Sequence, residues 1–203
     1  MLFGNPERRE KEREFASEGR LPPGQSLTLK WPVLHEGGIP RFDPQKWDFR
    51  VAGRVENPLR LTWDEFNRLP KIRVKADFHC VTAWSKMDNE WEGVRFRTVA
   101  ELARPKPEGR FVMVHADTGY TTNLPLDDLL RDNVVFATAH APEPLSPEHG
   151  YPLRLVVPHL YAWKSAKWAR GLEFLDHDRH GYWERVGYHM YGDPFREQRY
   201  NGP

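Results

Sequence analysis

Ile72-Arg73-Val74-Lys75-Ala76-Asp77-Phe78-His79-Cys80-Val81-Thr82-Ala83-Trp84-Ser85 alternates apolar and polar side chains and then breaks just after a cysteine. Alternation at period two marks a half-buried strand, which delivers His79 and Cys80 at its end. Cys80 is the only cysteine among 203 residues, so it has neither a disulfide partner nor a second thiol for a cysteine-based zinc site. Three roles stay open to it: inert packing, a nucleophile, or a single soft ligand to a metal held mostly by something other than protein.

Outward from this strand the chain reads as short strands mixed with short helices. Upstream, residues 48–55 alternate and end at Asn57-Pro58. Residues 61–70 then form a capping box, with Thr62 as N-cap, Glu65 three residues on and Pro70 as the stop. Downstream, strands are predicted at 93–97, 111–116, 134–138, 153–158 and 171–175. Helices are predicted at 98–103, capped by Thr98, and at 126–131. The loop 141–150 carries Pro142, Pro144 and Pro147. No long strand–helix units alternate as in a doubly wound fold, so the fold class is α+β, with mixed β-sheets and short helices.

Composition limits the function classes. Thirty basic residues against twenty-nine acidic ones leave a net charge of +1, which argues against nucleic acid or an anionic membrane and favours a small-molecule substrate. The first nine residues turn to charge before an apolar leader core forms, and no later run has the length of a membrane span. A lone cysteine fits a reducing compartment, and the expected localisation is cytoplasmic. Residues 6–19 are nearly all charged and predict a solvated helix. Residues 20–32, with Pro22-Pro23-Gly24 and Trp31-Pro32, predict an extended run across the surface.

Two further stretches carry chemistry. Arg154 sits inside the apolar run Leu153-Arg154-Leu155-Val156-Val157, where a guanidinium is costly unless it meets an anion or a carboxylate. Lys164-Ser165-Ala166-Lys167 follows between aromatic residues and offers two cations and a hydroxyl. Together they read as a phosphate cradle gripped by side chains, since the chain has neither GxGxxG nor GxxxxGK[ST]. An Arg paired to a local Glu, with lysines lying along the surface, is the structural alternative. Earlier in the chain, His35 and Glu36 precede Gly37-Gly38, a pair that permits positive φ or a close backbone approach.

From Val33 to Phe174 the chain resembles the molybdopterin-binding domain of the sulfite oxidase superfamily. Within it, the chain is similar to the small bacterial members near the catalytic subunit of periplasmic methionine sulfoxide reductase. The marks are Cys80-Val81-Thr82-Ala83-Trp84-Ser85 with Trp91-x-Gly93, and Glu148-His149-Gly150-Tyr151-Pro152-Leu153-Arg154 running into Lys164-Ser165-Ala166-Lys167-Trp168. The resemblance implies a sulfite-oxidase-like fold and a molybdenum-molybdopterin cofactor. Cys80 would be the catalytic thiolate and metal ligand, and His35, Glu36, His149, Arg154, Ser165, Ala166 and Lys167 would contact the cofactor. Relatives offer a hydroxyl near Ala116, where His115 or Asp117 stands in view here. True sulfite oxidases have Ala-Gly-Asn-Arg after the cysteine and an active-site tyrosine aligned near Thr138, and this chain departs at both.

The resulting expectation is a molybdenum-dependent oxidoreductase transferring an oxygen atom to or from a small substrate, with a separate electron-transfer partner. His79 and Trp84 would lie at the substrate pocket. The expected organisation is a charged arm over 1–32, the molybdopterin-binding catalytic domain over 33–176 and an aromatic extension over 177–203 packed on the core, whose histidines lack metal-site spacing. The alternatives are a catalytically silent molybdopterin- or ligand-binding module, and a hydrolase pairing Cys80 with His79 or His115.

Overall fold

The structure is a computed structural model that describes residues 6–201; the first five residues of the start read above lie outside it. α1 (Pro6–Ser17) leads into β1 (Ser26–Leu27), and β2 (Asp48–Gly53) pairs with β3 (Leu59–Thr62) ahead of α2 (Trp63–Asn67). β4 (Lys71–Cys80) and β5 (Trp84–Arg95) form a long hairpin. α3 (Phe96–Ala103), β6 (Phe111–Ala116), β7 (Thr121–Pro125), α4 (Leu126–Leu129), β8 (Val135–His140) and β9 (Glu143–Pro144) come next. β10 (Arg154–Val156), β11 (Ala169–Leu175) and α5 (Tyr182–Arg185) complete the order. None of the described helices is long and apolar enough to cross a membrane.

Two mixed sheets result. One runs β1-β5-β8-β10, with β4 on β5 and β9 on β8; the other runs β3-β2-β11-β6-β7. β1 and β11 join β5 and β2 in parallel, and the remaining pairs are antiparallel. Alternation puts Phe49 and Val51 of β2, Val112 and Val114 of β6, and Leu172 and Phe174 of β11 on inward faces. There they join a core with Val94, Phe136 and Leu155 of the other sheet. α3 adds Phe96, Val99, Ala100 and Ala103 at helical spacing, all buried. Burying each large apolar side chain contributes about 1.5–3 kcal/mol before entropy is counted.

The capping box on α2 forms: Glu65 N donates to Thr62 Oγ1 and Thr62 N to Glu65 Oε2. The strand expected at 93–97 is only the end of β5, which starts at Trp84. Its buried positions Ser85 and Asn89 are polar and hide the period. Gly93 lets β5 touch β8, since a Cβ there would meet Phe136 O at 2.0 Å. α3 starts at Phe96 with Arg95 at the cap, not at Thr98, and no side chain caps it. β7, not expected from sequence, is polar because residues after β11 cover it: Asn123 bonds Asp178 and Thr122 bonds Glu184. Residues 20–32 are less superficial than expected, for Leu27 is buried and β1 is paired to β5.

Candidate active site

The β4–β5 hairpin turns through Val81, Thr82 and Ala83, with Ala83 at φ 69° and its N–H donating to Cys80 O at 3.1 Å. Successive strand residues face opposite ways, so Cys80 and His79 part company. Cys80, buried, faces a cavity of about 350 Å³, with Thr82 Oγ1 3.1 Å from its Sγ. His79 turns to the other side and is buried there, Nδ1 2.8 Å from Ser85 Oγ and its ring against Phe195. Burial holds its pKa down to about 4, so His79 is neutral at physiological pH. Both flanking segments grip the hairpin tip: Gln25 Nε2 donates to Cys80 O at 3.0 Å, and Arg199 donates to Val81 O.

Arg154 reaches the same cavity from β10. Its guanidinium is enclosed by rings of Phe78, Trp31 and Trp91, at 5.0, 5.6 and 5.7 Å from their centroids. It donates to the carbonyls of His149 (3.1 Å) and Ser165 (3.2 Å), while Nε has no partner among the described residues. No described carboxylate pairs with it, and burial pushes its pKa down to about 9. Lys167 stands nearby, donating to Glu148 O at 2.6 Å; burial, and then Arg154, push its pKa down to about 7. The local Glu invoked as the alternative for Arg154 is therefore absent among the described residues, and two cations share a pocket without a paired anion.

His35, Glu36, Ser165 and Ala166 line this cavity with Cys80, Arg154 and Lys167. Ser165 Oγ accepts from Val157 N at 2.9 Å, which leaves its proton available. His35 sits edge-on to Trp168, and Gly37 takes φ 72° just beyond. His149, expected to contact the cofactor, does not line the cavity: it is stacked on Trp31 at 3.8 Å and bonded to Ser146, and its carbonyl accepts from Arg154. Gly150, φ 112°, lets the chain pass: a Cβ there would lie 3.0 and 3.2 Å from the Cβ atoms of Arg154 and Lys167.

Several expectations are corrected. Lys164 points away from the cavity, fully buried against Glu184 at 2.6 Å and bonded to Asn123 O and Met190 O. His115 pairs with Glu173, and Asp117 with Arg170. The hydroxyl beyond Ala116 is Thr118 Oγ1, buried, without a partner among the described residues and on the cavity wall. Trp84 lines the cavity, whereas His79 does not. With His79 bonded to Ser85 and His115 to Glu173, neither is placed as a base for Cys80, which removes the hydrolase alternative. The aromatic enclosure of Arg154 and the cavity-facing Tyr188 escaped sequence reading because their residues come from distant stretches. An unpaired Arg in an apolar strand was the one available hint.

Among the described residues no three His, Cys, Asp or Glu side chains converge as a metal site. A metal in this cavity would take Cys80 and complete its shell from a non-protein ligand.

Residues 36–183 match the family described as the oxidoreductase molybdopterin binding domain. The uncharacterized oxidoreductase YuiH of Bacillus subtilis is 50% identical over 201 residues, 98% of each chain. The protein-methionine-sulfoxide reductase catalytic subunit MsrP is 29% identical in Campylobacter jejuni and 30% in Gluconobacter oxydans. Each covers 74% of this chain, which spans only about half of those relatives, 56% and 54% of their lengths. The solved sulfane dehydrogenase SoxCD from Paracoccus pantotrophus superposes with TM-score 0.67 at 21% identity, over 92% of this chain and 56% of that one. The fold is thus of the sulfite-oxidase-like molybdopterin-binding kind.

Proposed function

The chain belongs to the oxidoreductase molybdopterin-binding domain family, and on that premise we propose that it is a mononuclear molybdenum oxidoreductase moving an oxygen atom to or from a small substrate, with Cys80 as the protein ligand to the metal. The observation that carries this reading is Arg154, a buried cation with an orphan Nε and no carboxylate, on the same cavity as the chain's sole thiol. An anionic, sulfur-bearing cofactor fits that donor set: its phosphate balances the cations, and its sulfurs complete the shell of a metal that the protein reaches once.

Arg154, Lys167, Ser165, Ala166 and Thr118 would hold the cofactor, with His35 and Glu36 along its edge. The bound cofactor supplies the two-electron redox chemistry of oxygen transfer. The protein's own contribution is preorganisation. Trp31, Phe78 and Trp91 keep water from the Arg154 guanidinium, which strengthens its pull on an anion. Gln25 and Arg199 fix the backbone at Cys80 and Val81, and Thr82 offers the sulfur a hydroxyl donor. Electrons pass to or from a separate partner in this reading.

The reading is tested by the pterin content of protein made in a molybdopterin-synthesising host. Arg154→Met should lose most of the pterin that wild-type protein retains, and Lys167→Met a smaller share. Full retention by Arg154→Met would overturn the assignment of this cavity.

A further inference from the structure

Cys80 sits at the far end of a hairpin that outruns its sheet. β4 and β5 pair from Lys71 with Val94 to Cys80 with Trp84, but β8 accompanies β5 only from Trp91 to Arg95. Beyond that, the one further described strand on the hairpin is the two-residue β1, against Trp84 and Ser85. A two-stranded ribbon is marginal by itself, so the tip needs partners from outside the sheet.

Those partners come from the two segments that flank the family match at 36–183. From the N-terminal side, Gln25 Nε2 donates to Cys80 O (3.0 Å), Ser26 N to Ala83 O (3.0 Å) and Thr28 N to Ser85 O (2.9 Å). From the C-terminal side, Arg199 donates to Val81 O and reaches Gly24 O at 3.5 Å, so one guanidinium ties the hairpin to the other flank. Its Cζ rests 5.2 Å from the ring centroid of the buried Tyr161. Its backbone is held as well, Arg199 N donating to Glu197 O (2.7 Å) and His189 N to Arg199 O (3.2 Å).

Gln25 is oriented in turn. Ser85 Oγ donates its single proton to Gln25 Oε1 (3.2 Å), so the 2.8 Å contact between Ser85 Oγ and His79 Nδ1 needs a proton on the histidine. That chain points the Gln25 amide N–H at Cys80 O. Ser85 and His79 are buried, and Phe195 of the C-terminal flank packs on the imidazole, which keeps competing water from the chain.

Resting on the oxidoreductase reading above for its bearing on the metal, we propose that Gln25 and Arg199 are positioning residues, a clasp closed from both flanks that fixes how Cys80 presents its sulfur. Neither side chain lines the cavity. Each holds a carbonyl at or next to the cysteine, which is how groups beyond the direct ligands orient a metal-binding side chain.

The test uses molybdenum-loaded protein: wild type, Gln25→Met, Arg199→Met, and Arg199→Lys, which keeps a donor. Arg73→Met, which cuts the Arg73–Glu92 pair (2.9 Å) at the other end of the hairpin, is the control. Metal content is measured on each. Hydrogen exchange of a peptide spanning residues 78–86, read by mass spectrometry, reports on the tip with or without metal. Electron paramagnetic resonance of the one-electron-reduced metal reports on the sulfur. Gln25→Met and Arg199→Met should exchange the tip amides about fivefold faster, for one lost hydrogen bond each, and shift the g values at equal molybdenum. Arg199→Lys should fall nearer wild type in both readouts, and Arg73→Met should match it. Unchanged tip exchange in both methionine variants would overturn the clasp. Faster exchange with a wild-type resonance spectrum at equal metal, or an equal spectral shift in Arg73→Met, would overturn its hold on the sulfur. Wild-type protein without molybdenum would sink the oxidoreductase reading, whereas the exchange rates would still support or overturn the clasp.

Discussion

Arg154 and Lys167 bring two cations into one cavity whose only described carboxylate, Glu36, is turned to Tyr182. The anomaly at Arg154 was legible in the sequence because a charged residue broke an apolar strand. Its aromatic enclosure was not, since Trp31, Phe78 and Trp91 come from three separate stretches. Lys164 misled for the opposite reason: spacing alone cannot say that its side chain turns to Glu184 rather than to the cavity. Lys167 also has a pH consequence in cofactor-free protein. With its pKa pushed down to about 7 when folded and near 10.4 when unfolded, its burial penalty is full below about pH 7. Between those values the unfolded chain binds the extra proton, so the penalty fades as pH rises. Lys167→Met should therefore stabilise the cofactor-free protein more at pH 6 than at pH 9, as read by urea denaturation. An effect independent of pH would show that the amine keeps an ordinary pKa.

At the scale of elements, the signals that survived were those whose cause is local. The capping box of α2 depends on Thr62 and Glu65 alone and formed as read. Thr62→Ala should cost about 1 kcal/mol in denaturant titrations, and no change would mean that the α2 start is held by packing instead. β5 and β7 were obscured because their buried polar residues are satisfied by distant partners, which local alternation does not reveal. The same long-range logic fixes α5, whose Glu184 takes Lys164 and the indole N–H of Trp163. Lys164→Met leaves a buried carboxylate without its cation and should cost about 3–5 kcal/mol. Adding Glu184→Gln should recover part of that loss. A double variant no more stable than the single one would show that the lysine's bonds to backbone carbonyls, not the ion pair, carry the effect.

Across the whole molecule, the two sheets bury one core between them, a second cluster gathers around Phe78, Trp91 and Val156, and the segments flanking the matched domain meet at the Cys80 hairpin. Gln25 holds it from one side of the sequence and Arg199 from the other. The family was readable from short motifs around Cys80 and Arg154; the participation of both flanks in the cavity needed the fold. The central claim is that this cavity binds a molybdenum cofactor through Cys80. Its most direct measurement is elemental analysis of wild-type protein and Cys80→Ser, both purified from a molybdopterin-synthesising host supplied with molybdate. The account predicts about one molybdenum per wild-type chain, by a single-ligand site, and loss of the metal or an altered metal spectrum in Cys80→Ser. Wild-type protein that repeatedly purifies without molybdenum, or a Cys80→Ser variant with the same metal content and spectrum, would contradict it.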